Sequence, residues 1–430
     1  MRIVSFEEFK TLNKKQENTN TYIINTTQKI IDDVRKNGDE ALIRYSQQFD
    51  GVKVKKFNFL ATEDEIEKAV KETEKSQKEI LEFFLKAAEN IKEFHKKQKQ
   101  ESFFYYNKGA TLGLKISPLS KVLAYVPGGK AFYPSTAIMN IVPAKVAEVE
   151  EIIMTTPPSE NGEIKNPLAI AIAKKLGVDK IYKLGGAHAI AGFAYGTETL
   201  PKVAKVVGPG NIYVATAKKL LSGIVGIDSI AGPSEVVTFV DETANPQWVA
   251  IDLCAQAEHT GDNTVILIST SMEFIKEVEK ALEKIVKNLK RKELIENSLK
   301  DYSYAIKVKN YEEGFEVINL IAPEHVEVMI SLDKFEILEK IKNAGAIFIG
   351  NYTPVALGDY FAGPNHVIPT NGTALFSSPL GVYDFVKKSS FLSVNEDYIN
   401  KNADIVGKLA YSEELEAHAL SVLMRKTKTR

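Results

Sequence analysis

From Gly113 onward the chain alternates short β-type runs with helical stretches, and this constrains its possible folds more than any other feature. The runs cover residues 121–126, 151–155, 180–184 and 202–207, and helical patterns lie between them at 134–149, 167–176, 187–195 and 211–221. Strands that return through a helix to a parallel neighbour have this spacing, so the pattern predicts βαβ units. A second series follows Gly232: a strand-like run at 235–240, a helix over 246–259, a strand at 264–269, a charged helix over 272–290, and runs at 304–308, 326–330 and 346–350. We read an α/β protein with two domains of one fold type.

Two helical patterns precede this region, near 27–48 and 63–100. The second opens on Thr62-x-x-Glu65, a capping box, and carries a dense charge load with an intermittent apolar stripe (Ile66, Val70, Ile80, Phe84, Ala87, Ile91). It reads as one long helix with a single face on the body. From about residue 381 the chain reads as a helical tail, patterned over 397–409 and 412–425. The expected organisation is an N-terminal extension (1–24), a discontinuous first α/β domain (25–124 and 236–380), a second Rossmann-like domain (125–235) and the tail (381–430).

A chain of 430 residues with 44% hydrophobic content can build sizeable cores. Lys+Arg 55 against Asp+Glu 56 argues against nucleic acid or an anionic membrane as the main partner, which leaves a small molecule. The N-terminus has no long apolar run, and the single cysteine, Cys254, fits a reducing compartment, so a cytoplasmic location is expected. No arginine occurs between Arg44 and Arg291. An anion bound by that segment must therefore be held by backbone amides, hydroxyls and lysines.

The standard Gly-x-Gly-x-x-Gly fingerprint is absent. In its place stand Tyr125-Val-Pro-Gly-Gly-Lys130 and Lys183-Leu-Gly-Gly-Ala-His188, each in a strand-turn-helix context that presents backbone amides near a helix N-terminus. Each is also compatible with a plain turn.

Gln256 and His259 stand three residues apart on the helix expected from Pro246, about 60° around its axis, and so leave one face in metal-binding geometry. Spacing alone favours Glu258, which lies about 100° from His259 on the helix. Asp252, one turn before Gln256, is either a support for the site or a surface charge. Further short, turn-flanked segments hold Glu324-His325 after Pro323, Asp359-Tyr360, and His418. Cys254 lies about 200° from Gln256 around the helix, which points it into the core and away from the metal face.

With Gly-Pro-Gly-Asn at 208–211, Ile-Ala-Gly-Pro-Ser-Glu at 230–235 and Leu-Gly-Val-Tyr-Asp-Phe-Val-Lys-Lys at 380–388, these motifs make the chain resemble the histidinol dehydrogenase family from about residue 25 to 424. The resemblance implies two Rossmann-like domains with atypical dinucleotide fingerprints, and helical N- and C-terminal extensions that form small dimerisation domains. It implies zinc, one per subunit, on Gln256, His259, Asp359 and His418. Glu324 and His325 match the acid-base pair. Ser234 and Glu413 match substrate contacts, shared with Gln256, His259, His325, Asp359 and His418. Tyr125, His188 and Asn211 match the NAD contacts, and His188 departs from the Gln usual there. The implied reaction is the four-electron oxidation of L-histidinol to L-histidine through histidinaldehyde, the last steps of histidine biosynthesis. The implied assembly is a homodimer whose tails complete the partner's site. Two rival readings are a zinc hydrolase, which leaves the glycine turns without a role, and a non-catalytic binding protein that keeps the fold.

Overall fold

The computed structural model describes residues 1–13, 21–53, 58–128 and 133–427, so Gly129 and Lys130 of the first glycine turn lie outside the described residues. Its strands are β1 Arg2–Ser5, β2 Phe103–Asn107, β3 Ala110–Pro118, β4 Lys121–Tyr125, β5 Glu151–Thr156, β6 Lys180–Lys183 and β7 Lys205–Val207. They continue with β8 Gly226–Ile227, β9 Glu235–Val240, β10 Thr264–Ser269, β11 Tyr304–Lys307, β12 His325–Met329, β13 Ala346–Ile349 and β14 Val386–Val394. Packing divides the chain into two units, residues 1–98 with 120–385 and residues 99–119 with 386–430.

The first unit holds two parallel sheets, as the alternation predicts. One has six strands in the order β1-β11-β10-β9-β12-β13, the other five in the order β6-β5-β4-β7-β8. Both faces of a parallel sheet are covered by helices, so its strands are near-continuous apolar runs. In β10, Val265 and Leu267 join the core on one face and Ile266 and Ile268 the core on the other. All four are at most 2% exposed, and each contributes about 1.5–3 kcal/mol by burial.

Three sequence expectations need correction. The 63–100 pattern is two helices, Glu63–Ser76 and Lys78–Lys96, broken at Gln77 (φ −141°, ψ 34°). The stripe is intermittent because the first helix packs on Pro167–Lys175 and the second on Pro134–Val146. The Thr62–Glu65 capping box is formed as expected. The 25–124 segment was grouped with the six-stranded sheet, yet its helices and those of the five-stranded sheet share a core, with Ile30, Ile31, Val34 and Leu42 against Phe193. The region from 381 is not wholly helical either. β14 pairs antiparallel with β3 from Val386↔Pro118 to Val394↔Ala110, and β2 completes that three-stranded sheet in the second unit. Its helices Glu396–Ser412 and Glu416–Leu423 follow.

The sheets of the first unit offer opposite edges to function. Tyr125 ends β4, and the glycine turns at 185–186 and 208–210 follow β6 and β7, at the C-terminal edge where parallel sheets usually bind ligands. Ser234, Glu235, Glu324 and His325 stand at the starts of β9 and β12, at the N-terminal edge of the other sheet. Asn365 Nδ2 donates to the Met139 carbonyl (2.7 Å) and Asn140 Nδ2 to that of Tyr125 (3.1 Å), so the Asp359–His366 segment is tied to the helix beside the five-stranded sheet.

Candidate active site

Glu324 and His325 are placed by a helix end and a close backbone approach. The Tyr311–Ile321 helix stops at Ala322, which is left-handed (φ 49°), and Pro323 carries the chain into Glu324 and β12. Ala346 N–H donates to the Glu324 carbonyl (2.8 Å), and Gly345 N–H to that of Pro323 (2.9 Å). A Cβ at 345 would stand 2.6 Å from the Glu324 oxygen, so only glycine lets the strands approach this closely. Glu324 is 6% and His325 4% exposed.

Glu324 Oε2 accepts from the Glu235 backbone N–H (2.8 Å) and lies 3.5 Å from His325 Nδ1. That nitrogen donates to the Glu235 carbonyl (3.1 Å), while Nε2 faces Asp359 Oδ1 at 3.7 Å. Burial disfavours the His325 cation, but the Glu324 and Asp359 carboxylates outweigh it and push its pKa up to about 10. Burial likewise works against the Asp359 anion, yet His325, His366 and His259 hold its carboxyl below the usual range. His325 therefore lies between the carboxyl groups of Glu324 and Asp359.

Gln256 and His259 come from the C-terminal end of the Pro246–Ala257 helix, which returns toward the N-terminal edge of the sheet. His259 Nδ1 donates to the Gln256 carbonyl (3.1 Å), which fixes the tautomer and leaves Nε2 with its lone pair. Gln256 is 3% exposed, and one amide atom, placed as Nε2, has no hydrogen-bond partner among the described residues. A half-turn of the amide puts an unpartnered carbonyl oxygen there. An imidazole, an amide oxygen and a carboxylate are donor types that suit zinc. Among the described residues no group of three or more His, Cys, Asp and Glu side chains is arranged to hold a metal ion. Glu413 and His418 lie in the second unit, where both are exposed.

Three residues near the site escaped the sequence reading. Glu235 stands beside Ser234, His366 Nδ1 donates to the Asp359 carbonyl (3.0 Å), and Glu327 lies two residues beyond His325 on the same strand face. Glu327, 1% exposed, accepts from Thr238 Oγ1 (2.9 Å) and Val355 N–H (3.1 Å). Asp252 proves half-buried, and burial with the nearby Glu327 pushes it up to about 7. An acid in an otherwise apolar buried strand was the available signal for Glu327. Cys254 is 1% exposed, and burial with Glu258 nearby pushes its thiol up to about 12, which suits the core role and not a nucleophile. Tyr360 is exposed at the end of the Val355–Tyr360 helix.

At the other edge, Tyr125 is buried and its hydroxyl accepts from Gly186 N–H (3.1 Å). Gly208 has φ +111°, and a Cβ there would meet the Tyr125 carbonyl oxygen at 2.2 Å. Its N–H donates to Asp228 Oδ2 (2.7 Å) and its carbonyl accepts from Lys218 Nζ (2.9 Å), with Lys218 and Asp228 forming a buried ion pair. Asn211 caps the Ile212–Leu221 helix, accepting from Tyr213 and Val214 N–H (3.0 and 3.1 Å). Buried Asn140 Oδ1 and Thr156 Oγ1 have no partner among the described residues. These unpartnered atoms beside glycine turns suit a polar ligand. His188 is 0% exposed, 5.9 Å from the Tyr45 ring and 6.1 Å from that of Phe49, and burial depresses its pKa to about 3.

Fold and site together define an α/β protein whose two parallel sheets carry a buried Glu-His-Asp cluster at the start of one and a glycine-lined edge on the other. The sequence pattern of histidinol dehydrogenase matches residues 13–426. A histidinol dehydrogenase of Clostridium acetobutylicum is 49% identical over 418 residues, covering 97% of this chain and 95% of that protein. One from Aquifex aeolicus is 47% identical over 401 residues, covering 93% and 92%. The crystal structure of histidinol dehydrogenase from Elizabethkingia anophelis superposes with a TM-score of 0.91 at 34% identity, covering 99% of this chain and 97% of that one. The chain belongs to the histidinol dehydrogenase family, whose members are oxidoreductases.

Proposed function

We propose that the protein oxidises L-histidinol to L-histidine through histidinaldehyde, as a cytoplasmic homodimer in histidine biosynthesis. The observation that carries this reading is the buried Glu324–His325 pair facing Asp359, in a chain of this family. Tyr125 and Asn211 line the edge that would hold NAD⁺, which would supply the hydride acceptor for both oxidations. Gln256, His259, Asp359 and His418 of the partner subunit would hold zinc, which would supply positive charge to anchor the substrate's imidazole and amine and to draw the Asp359 carboxylate from His325.

This chain's residues then divide the proton work. His325, once neutral, takes the alcohol proton at Nε2 as hydride leaves. In the second step Glu324 takes a proton from water adding to the aldehyde. Ser234 and Glu413 complete the substrate contacts, the latter opposite the ammonium.

NAD⁺ reduction with histidinol, paired with elemental analysis, tests the reading. Two NADH per histidinol and loss of turnover in metal-stripped protein are expected. Full turnover in verified metal-free protein removes zinc from the scheme. Glu324→Gln sharpens the test, because only the second step needs activated water: aldehyde oxidation should fall on the order of 10²-fold or more, alcohol oxidation far less. Equal losses assign Glu324 a binding or structural role.

A further inference from the structure

One buried acid beside the site has no part in the scheme above. Glu327 lies on β12 two residues beyond His325, between Thr238 of β9 and Phe348 of β13 in the strand register, and is 1% exposed. Taking a carboxyl group out of water is unfavourable, and an apolar side chain of its size would fill the same space without that penalty. Both of its oxygens are engaged, Oε2 accepting from Thr238 Oγ1 (2.9 Å) and Oε1 from Val355 N–H (3.1 Å). Val355 opens the Val355–Tyr360 helix, whose N-cap, Pro354, provides no side-chain hydrogen bond. The first N–H of a helix has no partner within it, so the Glu327 carboxyl, from another element, does the work of a cap. Asp359 stands four residues on, one turn along the same helix, with Oδ1 3.7 Å from His325 Nε2. Gly358 lets that turn lie against β13, since a Cβ there would meet the Phe348 ring at 2.6 Å.

We propose that Glu327 is a positioning residue that sets Asp359 opposite His325. β12 carries His325 directly and, through the Glu327 carboxyl, holds the start of the helix that bears Asp359. A helix of 6 residues cannot keep its place unaided, and this contact ties it to the strand. The inference rests on the proposed function, in which Asp359 is a zinc ligand. The link consists of two hydrogen bonds, and an amide can make both: in Glu327→Gln the carbonyl oxygen accepts from Val355 N–H and the NH2 group donates to Thr238 Oγ1. Glu327→Met fills similar space and offers only a weak sulfur acceptor.

Hydrogen exchange with and without zinc, zinc competition against a chelating dye, and steady-state kinetics on these two variants test the role. Glu327→Met should speed amide exchange across 355–360 about tenfold while the rest of the sheet exchanges as before. It should weaken zinc binding on the order of 10- to 100-fold and raise KM for histidinol, with KM for NAD⁺, at the edge of the other sheet, unchanged. Glu327→Gln should bring exchange and zinc affinity back close to those of the wild type. Wild-type exchange and zinc affinity in Glu327→Met overturn the proposal, because the acid then only fills space. Losses in Glu327→Gln equal to those in Glu327→Met overturn it as well, because the charge and not the hydrogen bonds then matters. If Glu327→Met does not fold, Thr238→Val, which removes one of the two contacts and keeps the side chain's shape, takes its place: exchange across 355–360 should again quicken, and an unchanged rate overturns the proposal. A wild type that binds no zinc and oxidises no histidinol overturns the proposed function instead, and exchange across 355–360 without zinc then decides the role of Glu327 alone.

Discussion

The residue whose position was legible and whose surroundings were not is His188. Its place after Gly-Gly-Ala reads from sequence as a ligand contact, but the rings of Tyr45 and Phe49, from a helix some 140 residues earlier, enclose it. No local pattern carries that information. Ser46 Oγ lies 3.5 Å and Asp50 Oδ2 3.7 Å from His188 Nε2, and its Nδ1 has no partner among the described residues. With a folded pKa of about 3 against an ordinary 6.5, the folded state binds fewer protons than the unfolded one between those values. Its contribution to stability is therefore complete above pH 6.5 and is lost as pH falls, with a slope of up to about 1.4 kcal/mol per pH unit. Asp50, pushed up to about 6 by burial, titrates with the opposite sign and is present in both proteins. His188→Gln should remove the His188 part, so urea unfolding from pH 7 to 5 should give diverging curves, the variant holding its stability better in acid. Parallel curves would show that His188 charges inside the fold at no cost.

At the level of elements, what the sequence shows depends on whether the partner is near in the chain. The Thr62 cap is local and was read correctly: its side chain accepts from Glu65 N–H (3.3 Å) and its N–H donates to Glu65 Oε2 (2.8 Å). Glu65 also meets Lys183 at the end of β6 (2.5 Å), which secures the helix to the five-stranded sheet. Thr62→Ala should cost about 1 kcal/mol, read as a lower urea midpoint at unchanged slope. β14 is the opposite case. Its Val-Lys-Lys-Ser-Ser-Phe-Leu-Ser-Val run is exposed along most of its length, and the strand that makes it a strand, β3, lies some 270 residues earlier. The break at Gln77 is also tertiary, since two short helices let each stripe find its own neighbour.

At the scale of the whole molecule, the alternation of runs and helices gave away both parallel sheets, and the motifs marked Glu324, His325, Gln256, His259 and Asp359. Glu235 and Glu327 were missed because their meaning comes from which strands become neighbours, β9 beside β12. A shared active site would need a second chain. A metal set built from Gln256, His259 and Asp359 calls for a fourth ligand, and we propose that His418 supplies it across a homodimer. Pairing a Glu324→Gln chain with a His418→Asn chain decides the matter. Each homodimer is inactive, whereas a mixed dimer with crossed sites has one site carrying both lesions and one carrying neither. Random re-association of equal amounts should restore about one quarter of wild-type activity if the sites act independently. If labelled chains exchange and no activity returns, Glu324 and His418 serve the same subunit's site, and the fourth ligand does not cross the dimer.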